Sequence, residues 1–255
     1  MKLAKLSVAT VAAVTLLSGC KTMDTTDLMG LGAQAFQVAT FSDADARKMA
    51  DGACQEFDAR ETIAPANSKY TQRLNKIAKN LGNNIDGVPL NYKVYMTDEL
   101  NAWAMANGCI RVYSKLMDVM TDNELEGVLG HEIGHVALGH SKSRMKTAYM
   151  ASLARTAAAN SGNEALANLS NSEYGQLGEA FVNAQFSQAN ETEADTFSFN
   201  YLTKRGIKRE GLVTAFEKFA KMDGGEGSLL SSHPSSNDRV ENMRTRLKEQ
   251  KAGKR

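Results

Sequence analysis

The sequence has no dense stripe of lysine and arginine, and its 30 basic residues are balanced by 29 acidic ones to a net charge of +1. A chain that binds DNA or RNA usually carries a strongly basic face, so we expect no nucleic-acid partner. The composition, 42% hydrophobic and 23% charged, is ordinary for a globular protein. A length of 255 residues is enough for one domain of good size plus extensions.

A permanent membrane span is also missing from the sequence. The apolar run Leu6 to Leu17 follows Lys2 and Lys5 and is shorter than the about 20 residues that a transmembrane helix needs. A basic start before a short apolar run is typical of a secretory signal peptide. The next residues, Leu17-Ser18-Gly19-Cys20, resemble a bacterial lipobox, a signal in which the chain is cut before the cysteine and the cysteine is acylated.

These features predict the organisation of the chain. We expect residues 1–19 to be a signal peptide, residues 20–41 a lipidated tether starting at Cys20, and residues 42–255 the folded domain. Lys21 is typical of lipoproteins sorted to the outer membrane, so the expected location is the outer membrane of a bacterial envelope, facing the periplasm. Contact with the membrane would then be through the acyl chains only. An ordinary signal peptide with a chance cysteine is the alternative.

Cysteine is scarce, with three in the chain. If Cys20 is lipidated, Cys54 and Cys109 remain as an even pair in an oxidising compartment. This arithmetic favours a Cys54–Cys109 disulfide. Two buried free thiols are the alternative.

Hydrophobic spacing predicts a mainly helical α+β fold with a small sheet. Steps of three and four indicate helices, and strict alternation indicates strands. Thr121 and Glu124 form a predicted capping box at the start of one helix. The predicted helices cover about 42–60, 67–82, 121–140, 186–204 and 210–222, followed by a charged closing helix, and the predicted strands lie within 88–98 and 108–116.

Histidine is scarce as well, and two of the four stand in His131-Glu132-Ile133-Gly134-His135. On a helix, positions i and i+4 face the same way, so the two imidazoles can bind one metal ion. Imidazole nitrogen suits Zn²⁺ at about 2.0–2.1 Å. Glu132 can accept the proton of a zinc-activated water that attacks a peptide carbonyl, which is the zincin pattern. A helix with two surface histidines is the alternative.

A catalytic zinc has three protein ligands and one open position, so a third ligand is needed. His140 is one candidate, although its spacing does not match the metzincin pattern. Glu191 is the other, and Asp195 shares its helix face and can accept an N–H from a ligand histidine. Glu193 would lie on the opposite side, in solvent. Taken alone, this stretch could be an acidic helix surface.

Three motifs in order resemble the HtpX-like and CaaX-prenyl-endopeptidase-like zinc metallopeptidases, most closely their small periplasmic lipoprotein members. They are the His-Glu-x-x-His motif at 131–135, the Glu-x-x-Ala-Asp pattern at 191–195, and His233-Pro234 with Arg239. The likeness covers roughly residues 60–245. It implies a zincin-like fold, one Zn²⁺ per chain and Glu191 as the third ligand. It also implies that His233 stabilises the oxyanion and that Arg239 supports the site.

The resemblance further implies an edge strand that binds an extended polypeptide substrate by main-chain hydrogen bonds. The expected function is cleavage of unfolded or damaged envelope proteins. The alternatives are a non-catalytic, chaperone-like lipoprotein and a protease kept latent by its loops near 162–178 and 223–236. The sequence does not indicate an oligomeric state. The residues expected to form the substrate strand are Cys109, Ile110, Arg111, Val112, Tyr113 and Ser114.

Overall fold

The computed structural model describes residues 40–159, 170–222, 232–233 and 237–253. The predicted signal peptide, Cys20, nearly all of the predicted tether and Pro234 lie outside the described residues. Within these ranges, no helix combines the length and the hydropathy that a membrane span requires.

The described chain is mainly helical, as the spacing predicts, with short strands before the motif helix. Its helices are α1 Asp43–Arg60, α2 Lys69–Leu81, α3 Ser114–Val119, α4 Asp122–Ala137, α5 His140–Ala159, α6 Asn171–Asn183, α7 Gln188–Lys204, α8 Glu210–Phe219 and α9 Asn237–Lys251. Its strands are β1 Asn84–Ile85, β2 Val88–Pro89, β3 Asn91–Tyr95, β4 Ala102–Ala104 and β5 Cys109–Tyr113.

Side-chain caps fix where the helices start. Ser42 and Thr121 each accept a hydrogen bond from the backbone three residues on, and the acidic residue there bonds back to the cap, so both α1 and α4 begin with a capping box. Helix α2 ends at Gly82, where φ is 88°, a conformation that glycine adopts without strain. These boundaries agree with the sequence-based prediction.

The main sheet has the order β3-β5-β4. Strand β5 pairs in parallel with β3 and antiparallel with β4, with Ala102 opposite Val112 and Ala104 opposite Ile110. Strand β5 is therefore central, and both of its edges are occupied. The prediction that Cys109 to Ser114 form the substrate-binding edge strand is wrong, because a central strand has no free main-chain groups to offer a peptide. Ser114 is already the first residue of α3.

The sheet separates two hydrophobic clusters, because alternate side chains on each strand point to opposite faces. One face, with Ile110 and Val112, packs against α2, α4, α7 and α8. The other, with Trp103 and Cys109, packs against α1, α5 and α6.

The predicted disulfide is present between Cys54 of α1 and Cys109 of β5, with their Cα atoms 6.6 Å apart. Next to it, Arg111 donates through Nε and Nη2 to the two carboxylate oxygens of Asp58, at 2.8 and 2.9 Å. Arg111 is 1% exposed. Helix α1 is thus held to the sheet by a covalent bond and by an ion pair between a buried arginine and a half-buried aspartate.

Glycines on α4 allow α7 and α8 to approach it closely. A Cβ on Gly127 would lie 2.7 Å from the Cα of Leu212, and one on Gly130 would lie 2.7 Å from Ser198 Oγ. Ser198 Oγ donates to the carbonyl of Gly127 at 3.0 Å. This contact holds α7 close against α4.

Candidate metal centre

The last turns of α4 carry His131 and His135 on one face. Their Nε2 atoms lie 3.0 Å apart, and the two residues are 4% and 0% exposed. This arrangement follows from the i, i+4 spacing that the motif predicts.

Helix α7 brings Glu191 to the two imidazoles. Ser187 caps this helix, and Glu191 lies in its first turn. The oxygen Oε2 lies 3.5 Å from His131 Nε2, and Oε1 lies 3.4 Å from His135 Nε2. Two ligands at about 2.0–2.1 Å from a tetrahedral zinc are about 3.3 Å apart, so these three donors have the spacing of one metal site.

His233 adds a fourth donor to the same cluster. Its Nδ1 lies 3.2 Å from His131 Nε2 and 3.0 Å from Glu191 Oε1. All four residues are buried, and their donor atoms lie within 4.8 Å of one another. The family resemblance implies an oxyanion partner at position 233, and in the structure this imidazole lies among the other three donors.

Asp195 and Arg239 lie directly behind the donors. Asp195 Oδ1 is 2.8 Å from His131 Nδ1, so it can fix the tautomer that presents Nε2 to a metal. Arg239 donates to both oxygens of Asp195 at 2.7 Å, and its Nη1 lies 2.6 Å from Glu191 Oε2. The predicted supporting residues are thus in contact with two of the donors.

Glu132 lies beside the donors and does not belong to the set. It is 2% exposed, and its Oε1 makes no hydrogen bond within the described part of the chain, although His233 Nε2 is 3.4 Å away. Burial raises the pKa of the Glu132 carboxyl, against the opposing effect of His233 and His131. A raised pKa suits a carboxylate that must accept a proton near neutral pH.

Burial and charge set the protonation of the donors. Burial dominates at His135 and holds its pKa well below the usual range, so this imidazole is neutral, as a metal ligand must be. At Glu191, burial is outweighed by the neighbouring histidines, and its pKa is lowered, so the carboxylate stays ionised. At His131, burial is outweighed by the carboxylates of Glu191 and Asp195, which raise the pKa of the imidazole. The neutral imidazole of His135 and the ionised carboxylate of Glu191 are donors of the kind that Zn²⁺ accepts.

His140 is not among the donors. Its Nδ1 lies 3.1 Å from His135 Nδ1, and its Nε2 lies 3.0 Å from Glu193 Oε2. His140 therefore contacts the far nitrogen of His135, whereas Glu191 lies near the Nε2 atoms of both His131 and His135. The Glu193 side chain is 61% exposed, as predicted, yet its carboxylate contacts His140.

Sequence reasoning missed Phe186 and Arg144. The Phe186 ring stacks on His135 with centroids 3.8 Å apart and an interplanar angle of 14°. Arg144 is 7% exposed, lies over the rings of Phe181 and Phe186, and donates to the carbonyls of Val182 and Ala184. These contacts hold the segment between α6 and α7 in place, with its Phe186 ring on His135. The spacing of apolar residues did not predict the contact between Phe186 and His135, because Phe186 fitted the helical pattern equally well as the first residue of α7.

Comparison with known proteins identifies the family. The profile described as peptidase family M48 matches residues 66–247. The chain is 52% identical to "Metalloprotease LoiP" and 51% identical to "Metalloprotease YcaL", both of Escherichia coli K12, each over 97% of this chain and 98% of the relative. It is also 27% identical to the "Beta-barrel assembly-enhancing protease" of the same organism, over 69% of this chain and 38% of that protein.

Two nearly full-length relatives are thus named metalloproteases, and the family profile spans all the residues of the donor cluster. The mainly helical fold with its small sheet is that of a zincin-like metallopeptidase domain. The chain belongs to peptidase family M48 and is a metalloendopeptidase.

Proposed function

We propose that the chain uses one Zn²⁺ to cleave unfolded or damaged proteins of a bacterial envelope. The observation that carries this proposal is the buried set of His131, His135 and Glu191, spaced for one tetrahedral ion, with the Glu132 carboxylate beside it. A binding or chaperone-like lipoprotein has no use for a buried carboxylate next to a metal site.

The donor set fits zinc better than the hard cations. Imidazole nitrogen is a preferred donor for zinc, whereas magnesium and calcium take oxygen ligands. His131, His135 and Glu191 would hold the ion. When bound, a zinc ion supplies a Lewis acid that polarises the peptide carbonyl and lowers the pKa of water toward about 7.

The protein's own residues would carry the proton. Glu132 would accept a proton from the attacking water and deliver it to the leaving amine. Its burial supports this role, because a desolvated carboxylate is a stronger base than one in water. Asp195 would hold His131 in its tautomer, and Arg239 would hold Asp195 and Glu191.

The outer edge of β4 is the place where a polypeptide would bind. Tyr113 N–H donates to the carbonyl of Asn101, and Met105 N–H donates to that of Cys109. The alternation of an antiparallel pair therefore turns the main-chain groups of Ala102 and Ala104 away from β5. Strand β4, rather than β5, is the edge that we assign to the substrate. Its residues are buried and the Ala104 carbonyl accepts a hydrogen bond from Ser141 Oγ at 2.9 Å, so this edge must be uncovered before a peptide can pair with it.

The closed site supports a second candidate, the latent protease. His233 Nδ1 lies 3.2 Å from His131 Nε2 and 3.0 Å from Glu191 Oε1, where it would compete with water for a bound ion, and the Phe186 ring covers His135. Both must move before a peptide can enter. His233 would then be free to donate to the developing oxyanion, a contact of a kind often worth about 2.7–4 kcal/mol.

The location in the envelope rests on the sequence. The lipobox-like Cys20 supports an outer-membrane anchor facing the periplasm, with polypeptides as partners and the membrane contacted only through lipid.

The test is digestion of an unfolded model protein by the purified mature chain. The wild type should cleave it, a chelator should stop cleavage, and added zinc should restore it. Glu132→Gln should keep the metal and lose nearly all turnover, while Glu241→Gln on α9 serves as the matched control. Normal cleavage by Glu132→Gln would refute the proposed base.

A further inference from the structure

A cavity of about 240 Å³ lies away from the metal donors, between the end of α1, the sheet and α6. Aromatic rings of Phe57, Tyr95 and Tyr113 form part of its wall. Tyr95 and Tyr113 have ring centroids 5.9 Å apart, and the rings of Phe57 and Tyr95 both contact Trp103, with centroids 5.6 and 6.1 Å away. An aromatic wall attracts cations through the ring faces and also packs the methylene groups of a long side chain.

The mouth of the same cavity is acidic. Glu61, Glu99 and Glu179 line it against one cation, Arg60. Arg60 is already paired with Glu56 at 2.8 Å and with Glu179 at 3.1 Å. Within the described residues, neither Glu61 nor Glu99 is in an ion pair, and both are exposed. A negative charge is therefore left over at this opening.

The charges of Glu61 and Glu99 influence the ionisation of Tyr113, which lines the cavity. The pKa of Tyr113 is raised, mainly by burial and further by the charges of Glu99 and Glu61. Their field thus extends to a ring of the aromatic wall.

One short segment connects the cavity to the metal centre. Asn101 lines the cavity and leads directly into β4, the strand assigned to the substrate. Asn183 lines it as well and is followed three residues later by Phe186, which stacks on His135. Consecutive Cα atoms are about 3.8 Å apart, so the Cα atoms of Asn183 and Phe186 are at most about 11 Å apart, which places one wall of the cavity near the ring that covers His135.

We propose that this cavity is a specificity pocket for a lysine or arginine side chain of the polypeptide substrate, about three residues from the scissile bond. The inference rests on the proposed peptidase function and on β4 as the substrate edge. The aliphatic part of the side chain would pack on the aromatic wall, and its charge would lie between Glu61 and Glu99.

The test is a set of quenched fluorescent peptides with one fixed cleavable bond. Lysine is moved through four positions on each side of that bond, and every peptide has a partner with glutamine at the same place. At one position the wild type should cleave the lysine peptide about fivefold faster in kcat/KM, as expected for two partly exposed ion pairs. The ratio should shrink at high salt.

Variants identify the pocket. The double variant Glu61→Gln/Glu99→Gln should bring the lysine-to-glutamine ratio close to one, Glu99→Lys should favour a glutamate peptide, and Glu241→Gln should keep the wild-type ratio. A ratio near one at every position in the wild type, or a preference that survives in the double variant, would overturn the proposal.

Binding separates this proposal from the peptidase function itself. Fluorescence anisotropy with the Glu132→Gln protein measures peptide affinity without turnover. If no peptide is cleaved by the wild type, the catalytic proposal fails. The pocket still stands if Glu132→Gln binds the lysine peptide more tightly than its glutamine partner, and it falls if the two affinities are equal.

Discussion

The disulfide between Cys54 and Cys109 gives the most direct test of how the N-terminal helix contributes to stability. The bond closes a loop of 55 residues between α1 and β5. In the chain-entropy model, a loop of this length restricts the unfolded chain by about 4 kcal/mol. The double variant Cys54→Ala/Cys109→Ala should therefore lower the free energy of unfolding by about 4 kcal/mol. In a domain of this size, that corresponds to a fall in Tm of about 8–16 °C.

Denaturant unfolding of both proteins, followed by circular dichroism, measures this difference. Reduced wild type keeps both sulfur atoms and so controls for the cavity that alanine leaves. It should lose nearly as much stability as the double variant, which should not respond to reductant. A loss below about 1 kcal/mol in both would refute the reasoning, because Arg111 and Asp58 would then suffice to hold α1 on the sheet.

Four further outcomes are expected. Asp195→Asn should weaken metal binding about 10–100-fold in a chelator competition, because His131 loses its charged partner. Phe186→Ala should lower the free energy of unfolding by about 3 kcal/mol. It should also raise the cleavage rate of a short peptide, because His135 is uncovered. A lower cleavage rate in a variant that still binds its metal would contradict the covering role of Phe186. Cys20→Ser should move the protein from the membrane to the soluble periplasmic fraction, and continued membrane association would mean another anchor. Burial opposes the ionisation of Asp58, but hydrogen bonds donated by Arg111, Lys93 and Tyr95 outweigh the effect of burial and lower the pKa of the Asp58 carboxyl. The stability that this carboxylate adds is thus complete above about pH 4 and lost as pH falls through the lowered pKa. Urea unfolding of Asp58→Asn should therefore differ most from wild type at pH 7 and least near pH 3.

Local signals were enough to predict the helices that carry the donors. These signals join residues that are three or four positions apart, so they can be read from the sequence alone. They are the capping box of Thr121 with Glu124 and the i, i+4 spacing of His131 and His135. Glu191 is different. The residues alone left it in competition with His140, and only the resemblance or the packing of α7 on α4 decides between them.

Long-range pairing could not be predicted in the same way. Alternation indicates that residues 109–113 form a strand, but it does not reveal the neighbours of that strand. Parallel pairing with β3 and antiparallel pairing with β4 place it in the centre of the sheet. The position of Phe186 on His135 likewise depends on Arg144, which is 42 residues earlier in the chain. Such contacts join residues that no local pattern relates.

The division of the molecule by its sheet separates stability from metal affinity. The donors His131, His135 and Glu191 lie on α4 and α7, which pack on the face with Ile110 and Val112. The disulfide and the Arg111–Asp58 pair lie on the opposite face, with α1. Because the main contacts of α7 are with α4 and not with α1, loss of the disulfide should leave the spacing of the donors intact while the protein remains folded. The double cysteine variant should therefore bind its metal as tightly as wild type below its melting range. A large fall in its metal affinity would mean that the two faces are coupled through β5.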